Sequence, residues 1–316
     1  FFKQKTAYEI YQCDWSSDVC SSDLMKIAFL GSPQPAATIL DRLVTDGHDI
    51  VQVVTRPDRR RGRGNTPTGT PVAQRAIELN IATSYRLDDL RVDDCELVIV
   101  VAYGRIIPAA LLERCAMVNV HFSLLPRWRG AAPVERAILA GDTETGVAVM
   151  GIEPSLDTGP VYAEERVVIT DHTSSELMAD LAERGASLLS QVLSAWPHVE
   201  ARPQIGDPTY ADKLTAEDFR IEPNMSVSAA ARRVRLERTR IELGGKTARI
   251  VRAKVADAPV AAGAVEYASG LFLGLSDGAL EILEIQPAGS RVMTAAEWWR
   301  GVQRHDLMAW QSVNPT

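Results

Sequence analysis

The chain of 316 residues is longer than one hydrophobic core usually serves, so two domains are the default expectation. Its composition, 46% hydrophobic and 24% charged, is that of a folded globular protein and excludes a chain that is mainly disordered. An excess of 41 acidic over 34 basic residues gives a net charge of -7, which excludes a uniformly basic nucleic-acid coat but not a local basic patch.

Residues 1–24 differ in character from everything that follows. They have a Ser-rich end and lack the continuous apolar stretch of a signal peptide. At Met25 the sequence changes to a short apolar run that is typical of a first strand. We therefore expect Met25 to be the initiator and residues 1–24 to be a foreign leader, with a native disordered tail as the alternative.

From residue 26 onward, short apolar runs alternate with segments whose apolar residues recur at helical spacing. The predicted strands are residues 27–30, 50–54, 97–102, 117–123, 147–152 and 161–169. The predicted helices are residues 36–44, 72–79, 108–115, 134–140 and 174–193. The fully apolar run at residues 97–102 implies a strand that is buried on both faces. This order of elements predicts an α/β domain with a mostly parallel sheet and helices on both faces.

The chain changes character after residue 194. Four prolines within residues 195–223 are typical of a connecting segment. Short β-type runs with glycine turns follow, at residues 238–243, 248–253, 263–265, 271–275 and 280–286. Five short strands in a small terminal unit predict a β-barrel of the OB type. The expected organisation is an α/β domain over residues 25–203, a linker over residues 204–223 and a barrel domain over residues 224–316.

Cysteine and hydropathy patterns narrow the class of protein. Four cysteines without a C-x-x-C pair predict neither a disulfide framework nor a metal knuckle, so no metal is expected and the reduced cytoplasm is the expected compartment. The longest apolar run, residues 97–103, is far too short to cross a bilayer, so no membrane partner is expected. Nothing in the sequence indicates self-association, and we expect a monomer.

The most informative strand is predicted at residues 117–123, where polar and apolar residues alternate. Because side chains alternate between the two faces of a strand, Asn119, His121 and Ser123 share one face. Ligands of open α/β sheets bind at the carboxyl ends of the strands. A carboxamide, an imidazole and a hydroxyl at such an end favour a catalytic face, although a lone histidine is more often a satisfied core residue. The loop that follows, residues 124–133, is typical of the lining of a flat apolar pocket.

A second candidate is Asp157, at the tip of a Gly/Pro turn that follows the predicted strand at residues 147–152. An aspartate before Thr-Gly is common in ordinary turns, so by itself it indicates little. With Asn119 and His121 it forms an amide, imidazole and carboxylate set that suits acyl transfer. Asn119 would stabilise an oxyanion, and His121 would stabilise it or move protons. Asp157 would orient the imidazole and favour its charged form.

The run Asn-Val-His-Phe-Ser-Leu-Leu-Pro at residues 119–126, with Ser-Leu-Asp-Thr-Gly at residues 155–159, resembles the folate-dependent formyltransferases. The longer string Ser-Leu-Leu-Pro-Arg-Trp-Arg-Gly-Ala-Ala-Pro at residues 123–133 narrows the resemblance to the members that act on initiator tRNA. Further matching strings are Phe-Leu-Gly-Ser-Pro at residues 29–33, Val-Ala-Tyr-Gly at residues 101–104 and Gln-Pro-Ala-Gly at residues 286–289. The resemblance extends from Met25 to about Trp310.

The resemblance implies a Rossmann-like, doubly wound domain followed by an OB-like domain that helps to hold tRNA. It also implies transfer of a formyl group from 10-formyltetrahydrofolate, consumed as a co-substrate, to the α-amine of Met on initiator tRNA. This reaction supports translation initiation. By the family's motif, the catalytic positions are Asn119, His121 and Asp157. The folate-binding segment is Ser123, Leu124, Leu125 and Pro126.

Two Arg-rich segments supply local positive charge for a tRNA partner. The candidate phosphate-binding residues of the first segment are Arg59, Arg60, Arg61 and Arg63. Those of the second segment, residues 232–254, are Arg232, Arg233 and Arg235. A solvated charged surface is the better explanation of any single arginine, but two clusters in an acidic chain favour phosphate contact.

Other functions remain open, and some of them would use the same candidate catalytic side chains. A formyltransferase acting on a small amine, such as glycinamide ribonucleotide or an amino sugar, would use the same three side chains, and a formyl-folate hydrolase is a weaker variant. The Arg clusters and the C-terminal domain argue against a small substrate, which needs neither. A dinucleotide-binding protein is disfavoured because residues 31–35 lack the G-x-G-x-x-G that pyrophosphate requires. A pure tRNA-binding module would leave the polar strand face unexplained.

Overall fold

The computed structural model describes residues 24–57, 59–60, 67–301 and 309–313 of the chain. The leader predicted over residues 1–24 therefore lies, apart from Leu24, outside the described residues. No helix in the described ranges is both long and apolar enough to cross a membrane.

The first part of the chain alternates strands and helices in nearly the predicted places. Its strands are β1 (Lys26–Gly31), β2 (Asp49–Val54), β3 (Arg59–Arg60), β4 (Pro67–Thr68), β5 (Thr83–Ser84), β6 (Leu97–Val101), β7 (Met117–His121), β8 (Arg129–Gly130), β9 (Glu144–Gly151) and β10 (Val161–Val168). Its helices are α1 (Gln34–Thr45), α2 (Pro71–Glu78), α3 (Ala109–Leu112), α4 (Pro133–Ala140) and α5 (Ser174–Ser194).

Seven of these strands form one sheet in the order β10-β9-β7-β6-β1-β2-β5. The five strands from β7 to β5 are parallel, whereas β9 and β10 pair antiparallel at the β7 edge. This confirms the prediction of a doubly wound, mostly parallel sheet. The winding direction reverses between β1 and β6, which is where open α/β sheets bind ligands at the carboxyl ends of the strands.

The two faces of the sheet are covered by different elements: helices on one face, and a short helix with two 3-10 turns on the other. On one face, Phe29, Val118 and Val120 share a buried cluster with residues of α1 and α5. The other face is covered by α3 and by two 3-10 turns, Leu87–Asp89 and Val92–Asp94. The helix predicted over residues 108–115 forms only the single turn α3, in which Leu111 and Leu112 alone reach the core.

The remaining elements belong to the connecting segment and to the C-terminal unit. The strands are β11 (Tyr210–Ala211), β12 (Arg240–Leu243), β13 (Lys246–Ala256), β14 (Val265–Tyr267), β15 (Leu271–Leu275), β16 (Gly278–Pro287), β17 (Met293–Thr294) and β18 (Trp310–Ser312). The helices are α6 (Val227–Val234) and α7 (Ala295–Arg300).

The C-terminal strands form an antiparallel sheet in the order β14-β15-β16-β13-β12-β18, with β17 beside β16. The sheet curls until its ends meet at a bridge between Ala264 and Ala309, which confirms the prediction of a barrel-like β domain. Helix α6 was missed by the sequence analysis. Its Val227, Ala230 and Val234 pack into the barrel core, but the arginines beside them indicated only a charge cluster.

The segment predicted as a linker, residues 204–223, makes specific contacts with both units. Its β11 pairs in parallel with β8, and a 3-10 turn follows at Ala216–Phe219. Phe219 is buried in the core of the first unit, and Ile221 is buried in the core of the second. The passage from one core to the other therefore takes place within two residues.

Candidate active site

The polar face predicted for β7 is present at the carboxyl end of that strand. Val118, Val120 and Phe122 pack into the core on one face. By the alternation of a strand, Asn119 and His121 lie on the opposite face. Both pair with the antiparallel strand β9, Asn119 opposite Met150 and His121 opposite Ala148. The strand thus brings a carboxamide and an imidazole to the edge where ligands bind.

His121 is held by a carbonyl group in the loop that follows its strand. Its side chain is only 6% exposed, and its Nε2 lies 2.9 Å from the carbonyl oxygen of Trp128. Because a carbonyl oxygen can only accept a hydrogen bond, Nε2 carries the hydrogen. This contact fixes the plane of the ring and leaves Nδ1 as the nitrogen that faces Asp157.

Asp157 lies beside His121, although 36 residues separate them in the sequence. The backbone amide of Gly130 donates to its Oδ2 at 2.8 Å, and the same oxygen lies 3.8 Å from Nδ1 of His121. A separation of 3.8 Å is longer than a hydrogen bond, so the two groups are neighbours without being bonded to each other. Asp157 has a positive φ of 50°, a left-handed conformation that aspartate adopts more readily than most residues.

Asn119 completes the set that the sequence analysis predicted. It is half-buried, between Val100 of β6 and Met150 of β9. Its carboxamide makes no hydrogen bond to any other residue within the part of the chain that the structure describes. The catalytic roles of Asn119, His121 and Asp157 stay predictions.

The predicted folate-binding segment, Ser123, Leu124, Leu125 and Pro126, forms the turn after β7. The hydroxyl of Ser123 is buried and donates to the carbonyl oxygen of Arg127 at 2.6 Å, so it shapes the turn. Leu125 packs against Ala148 and Met150 beneath the site, while Leu124 and Pro126 are half-buried. Their contact with folate stays a prediction.

The loop at residues 127–130 is fixed from outside by Asp142. Arg127 donates to both carboxylate oxygens of Asp142, and the indole Nε1 of Trp128 donates to Oδ2 at 2.8 Å. The Arg127 guanidinium also lies 4.6 Å from the centre of the Trp128 ring. These contacts hold Trp128, whose carbonyl oxygen orients His121.

Gln204, which no sequence pattern indicated, connects the loop that carries Arg129 with the loop that carries Asp157. Its Nε2 donates to the carbonyl oxygens of Asp157 and Gly159, at 2.9 and 2.8 Å. Its Oε1 accepts from Nε and Nη2 of Arg129, at 3.0 and 2.6 Å. No local pattern pointed to this residue, because it lies in a Pro-rich stretch whose contacts are all distant in sequence.

A second network lies at the carboxyl ends of β2 and β6. Arg56 donates through Nε to the carbonyl oxygen of Tyr103 at 3.0 Å and through Nη2 to that of Gly104 at 2.6 Å. The backbone amide of Arg56 donates to the hydroxyl of Ser32. Burial raises the pKa of the Tyr103 hydroxyl, which keeps it neutral. Arg56 therefore braces the loops at the switch point of the sheet.

The structure places the two predicted arginine clusters differently. Arg61 and Arg63 lie outside the described residues, and of Arg59 and Arg60 only the backbone of β3 is described. Arg232, Arg233 and Arg235 are half-buried near the junction of the two units. Arg232 donates to the carbonyl oxygen of Leu139 and Arg235 to that of His172, and burial lowers the pKa of Arg235. Phosphate contact by either cluster stays a prediction.

The described residues contain no group of three or more His, Cys, Asp or Glu side chains that could hold a metal ion.

Comparison with protein families decides the affiliation of the chain. A model described as formyl transferase matches residues 25–193, and one described as formyl transferase, C-terminal domain, matches residues 213–303. The chain belongs to the formyl transferase family.

Several curated relatives are similar to this chain over most of its length, and each is named methionyl-tRNA formyltransferase. The relative from Clavibacter sepedonicus is 39% identical over 306 residues, which cover 90% of this chain and 100% of that protein. The relative from Paracoccus denitrificans is 38% identical, with 90% and 100% covered. The relative from Thermus thermophilus is 37% identical, with 88% and 96% covered.

Solved structures show the same fold at low sequence identity. An N-formyltransferase from Helicobacter canadensis, in complex with folinic acid and dTDP-3-aminofucose, has a TM-score of 0.63 and 15% identity, with 84% of this chain and 100% of that chain covered. HypX from Aquifex aeolicus, in complex with tetrahydrofolic acid, has a TM-score of 0.60 and 15% identity, with 87% and 46% covered.

Proposed function

We propose that this protein transfers the formyl group of 10-formyltetrahydrofolate to the α-amine of the methionyl residue on initiator tRNA, in support of translation initiation. The observation that carries the proposal is the convergence of Asn119, His121 and Asp157 at the carboxyl end of β7, with 3.8 Å between imidazole Nδ1 and carboxylate Oδ2. Relatives that are 37% and 39% identical carry the name of this reaction.

The first step is attack of the amine nitrogen on the formyl carbon. A free α-amine has a pKa of about 8, so roughly a fifth of it is already neutral at physiological pH and no strong base is needed. The new C–N bond leaves negative charge on the formyl oxygen. The carboxamide of Asn119 donates to this oxygen from a half-buried position, where a hydrogen bond to developing charge is worth more than in water.

The second step moves a proton from the attacking nitrogen to the leaving nitrogen. Nδ1 of His121 accepts the proton, and the imidazolium that results is stabilised by the nearby carboxylate of Asp157. Nδ1 then donates the proton to N10 of the folate as the bond between N10 and the formyl carbon breaks. The electron pair of that bond stays on N10, and the products are formyl-methionyl-tRNA and tetrahydrofolate.

The remaining parts of the proposal concern partners and compartment. The turn at residues 123–126 contacts the folate, and arginines of the two clusters contact tRNA phosphates. The protein acts as a monomer in the cytoplasm, without a membrane partner. Basic side chains in an otherwise acidic chain, with its net charge of -7, support a localised tRNA surface.

The test is a comparison of acceptors with the same formyl donor. Labelled formyl from 10-formyltetrahydrofolate is offered to charged initiator Met-tRNA, free Met, glycinamide ribonucleotide and a nucleotide-linked amino sugar. We expect label on the charged tRNA alone. Label on a small amine instead would contradict the proposed substrate while supporting the catalytic groups, and labelled formate without an acceptor would indicate the hydrolase.

A further inference from the structure

Gln204 is the one described side chain that hydrogen-bonds to both loops beside the catalytic groups. Its amide nitrogen reaches the carbonyl oxygens of Asp157 and Gly159, and its amide oxygen accepts two hydrogen bonds from Arg129. Arg129 directly precedes Gly130, whose amide holds the Asp157 carboxylate. Gln204 therefore holds the backbone of Asp157 directly, and it also contacts Arg129, whose neighbour Gly130 holds the carboxylate of Asp157.

The chain on both sides of Gln204 is attached to the same two loops. Before it, Arg202 forms an antiparallel bridge with Val161, at the end of the loop that carries Asp157. After it, the hydroxyl of Thr209 accepts from the amide of Trp128 at 2.9 Å, and β11 pairs with β8. The segment at residues 202–211 is thus a strap across the outside of the site.

We propose that Gln204 is a positioning residue for the formyl transfer, which it serves by fixing the backbone of Asp157 and, through Arg129, the loop that orients His121. This inference rests on the proposed function. Asp157 adopts a left-handed backbone conformation that costs an aspartate free energy, so its loop needs external contacts to hold it. Gln204 supplies two of them.

The position requires an amide rather than any polar group. The side chain must accept from a guanidinium on one side and donate to two carbonyl oxygens on the other, which glutamine can do and ionised glutamate cannot. In Gln204→Glu the hydrogen bonds with Arg129 are kept, but a carboxylate oxygen is set against two carbonyl oxygens at about the present distances of 2.8 and 2.9 Å. Gln204→Ala removes the whole side-chain amide, whereas Gln204→Glu keeps the size of the side chain and removes only its hydrogen-bond donor.

The experiment measures kcat, both KM values and Tm for wild type, Gln204→Ala, Gln204→Glu, Asp157→Asn and the double variant Gln204→Ala with Asp157→Asn. We expect both Gln204 variants to lower kcat by a factor of about 10 to 100, with each KM changed less than about threefold. In the Asp157→Asn background, Gln204→Ala should lower kcat by a smaller factor than it does in wild type, because the part of its role that acts through Asp157 is already lost. A residue that only stabilised the fold would give the same factor in both backgrounds.

The matched control is Gln191→Ala, at an exposed position on α5, which should keep the kcat of wild type. Wild-type kcat in Gln204→Glu, or equal factors in the two backgrounds, would overturn the positioning role. Failure of wild type to formylate Met-tRNA would instead contradict the proposed function. The variant series would then be repeated on whichever amine accepts the formyl group.

Discussion

The backbone amide of Gly130 donates a hydrogen bond of 2.8 Å to the carboxylate of Asp157. The loop after β7 therefore holds the carboxylate that faces the imidazole of His121, at the end of the same strand. Two residues earlier, the carbonyl oxygen of Trp128 fixes that same ring through Nε2. Trp128 and Gly130, two residues apart in one loop, thus orient the imidazole and the carboxylate respectively.

This relationship predicts that Gly130→Ala impairs catalysis as well as folding. Gly130 has a φ of 128°, and a Cβ there would lie 2.8 Å from the carbonyl oxygen of Ala211. We expect the strain to cost about 1–3 kcal/mol of unfolding free energy in urea titration, and kcat to fall by at least about tenfold as the Gly130 amide shifts.

A glycine far from the site provides the control for Gly130→Ala. Gly289 also has a positive φ, 76°, but a Cβ there meets nothing within 4 Å. Gly289→Ala should therefore lose stability from backbone strain alone and keep the kcat of wild type. Equal kcat in the two variants would contradict the role given to the Gly130 amide.

A second prediction separates the charge of Asp157 from its shape. Asp157→Asn can still accept from the Gly130 amide but carries no charge to stabilise an imidazolium. We expect kcat to fall by about 100-fold or more with little change in Tm, measured at saturating concentrations of both substrates. Asp207→Asn, at an exposed aspartate of the strap, should be indistinguishable from wild type. A kcat within threefold of wild type for Asp157→Asn would exclude the electrostatic role.

The sequence could predict those site residues that lie in a strand with alternating side chains or in a recognisable turn. Asn119 and His121 follow from the two-residue alternation of a strand, and Asp157 from a Gly/Pro turn next to a strand end. Gln204 and the carbonyl of Trp128 could not be predicted in the same way. One depends on contacts 47 residues away and the other is a backbone atom, so neither leaves a periodic trace.

The same holds for the fold: features set by local sequence could be predicted, and features set by contacts distant in sequence could not. The apolar runs predicted the strands, since each run had to be buried in a sheet. The Arg-rich stretch around Arg235 has the composition of a phosphate-binding surface, yet Arg235 donates to a carbonyl oxygen of the other unit. Composition alone cannot distinguish an arginine that faces solvent from one that bridges two units, because both must be charged and long.

A third prediction concerns the ion pair of Arg136 and Asp218, which fastens the connecting segment to α4. Two guanidinium nitrogens of Arg136 lie 2.8 and 3.2 Å from the carboxylate oxygens. Burial opposes the charge of Asp218, but hydrogen bonds from the Thr215 amide and from Arg136 outweigh it and hold the pKa of that carboxyl below its usual range. The folded state therefore favours the ionised form.

Because this pKa is lowered on folding, the stabilisation is present above the unfolded value of about 4 and is lost as the pH falls through the folded value. We expect Asp218→Asn to cost about 1.5–3 kcal/mol at pH 7, from urea titration, and progressively less as the pH is lowered below about 4. Asp88→Asn, which removes a pair with side chains 72% and 82% exposed, should cost little at either pH. A loss for Asp218→Asn that is independent of pH would contradict the argument.

The last prediction concerns Cys95 and Cys115, which lie two residues before the starts of β6 and β7. Burial, and then the neighbouring Cys115, raises the pKa of Cys95 to about 12, and burial also raises that of Cys115. At pH 8 only about one in 10,000 Cys95 side chains is then the reactive thiolate. We expect alkylation of the Cys95 peptide by iodoacetamide, followed by mass spectrometry, to be very slow at pH 8 and to rise about tenfold per pH unit. In guanidinium chloride both thiols should react at once, and comparably fast labelling of the folded protein would refute the protection.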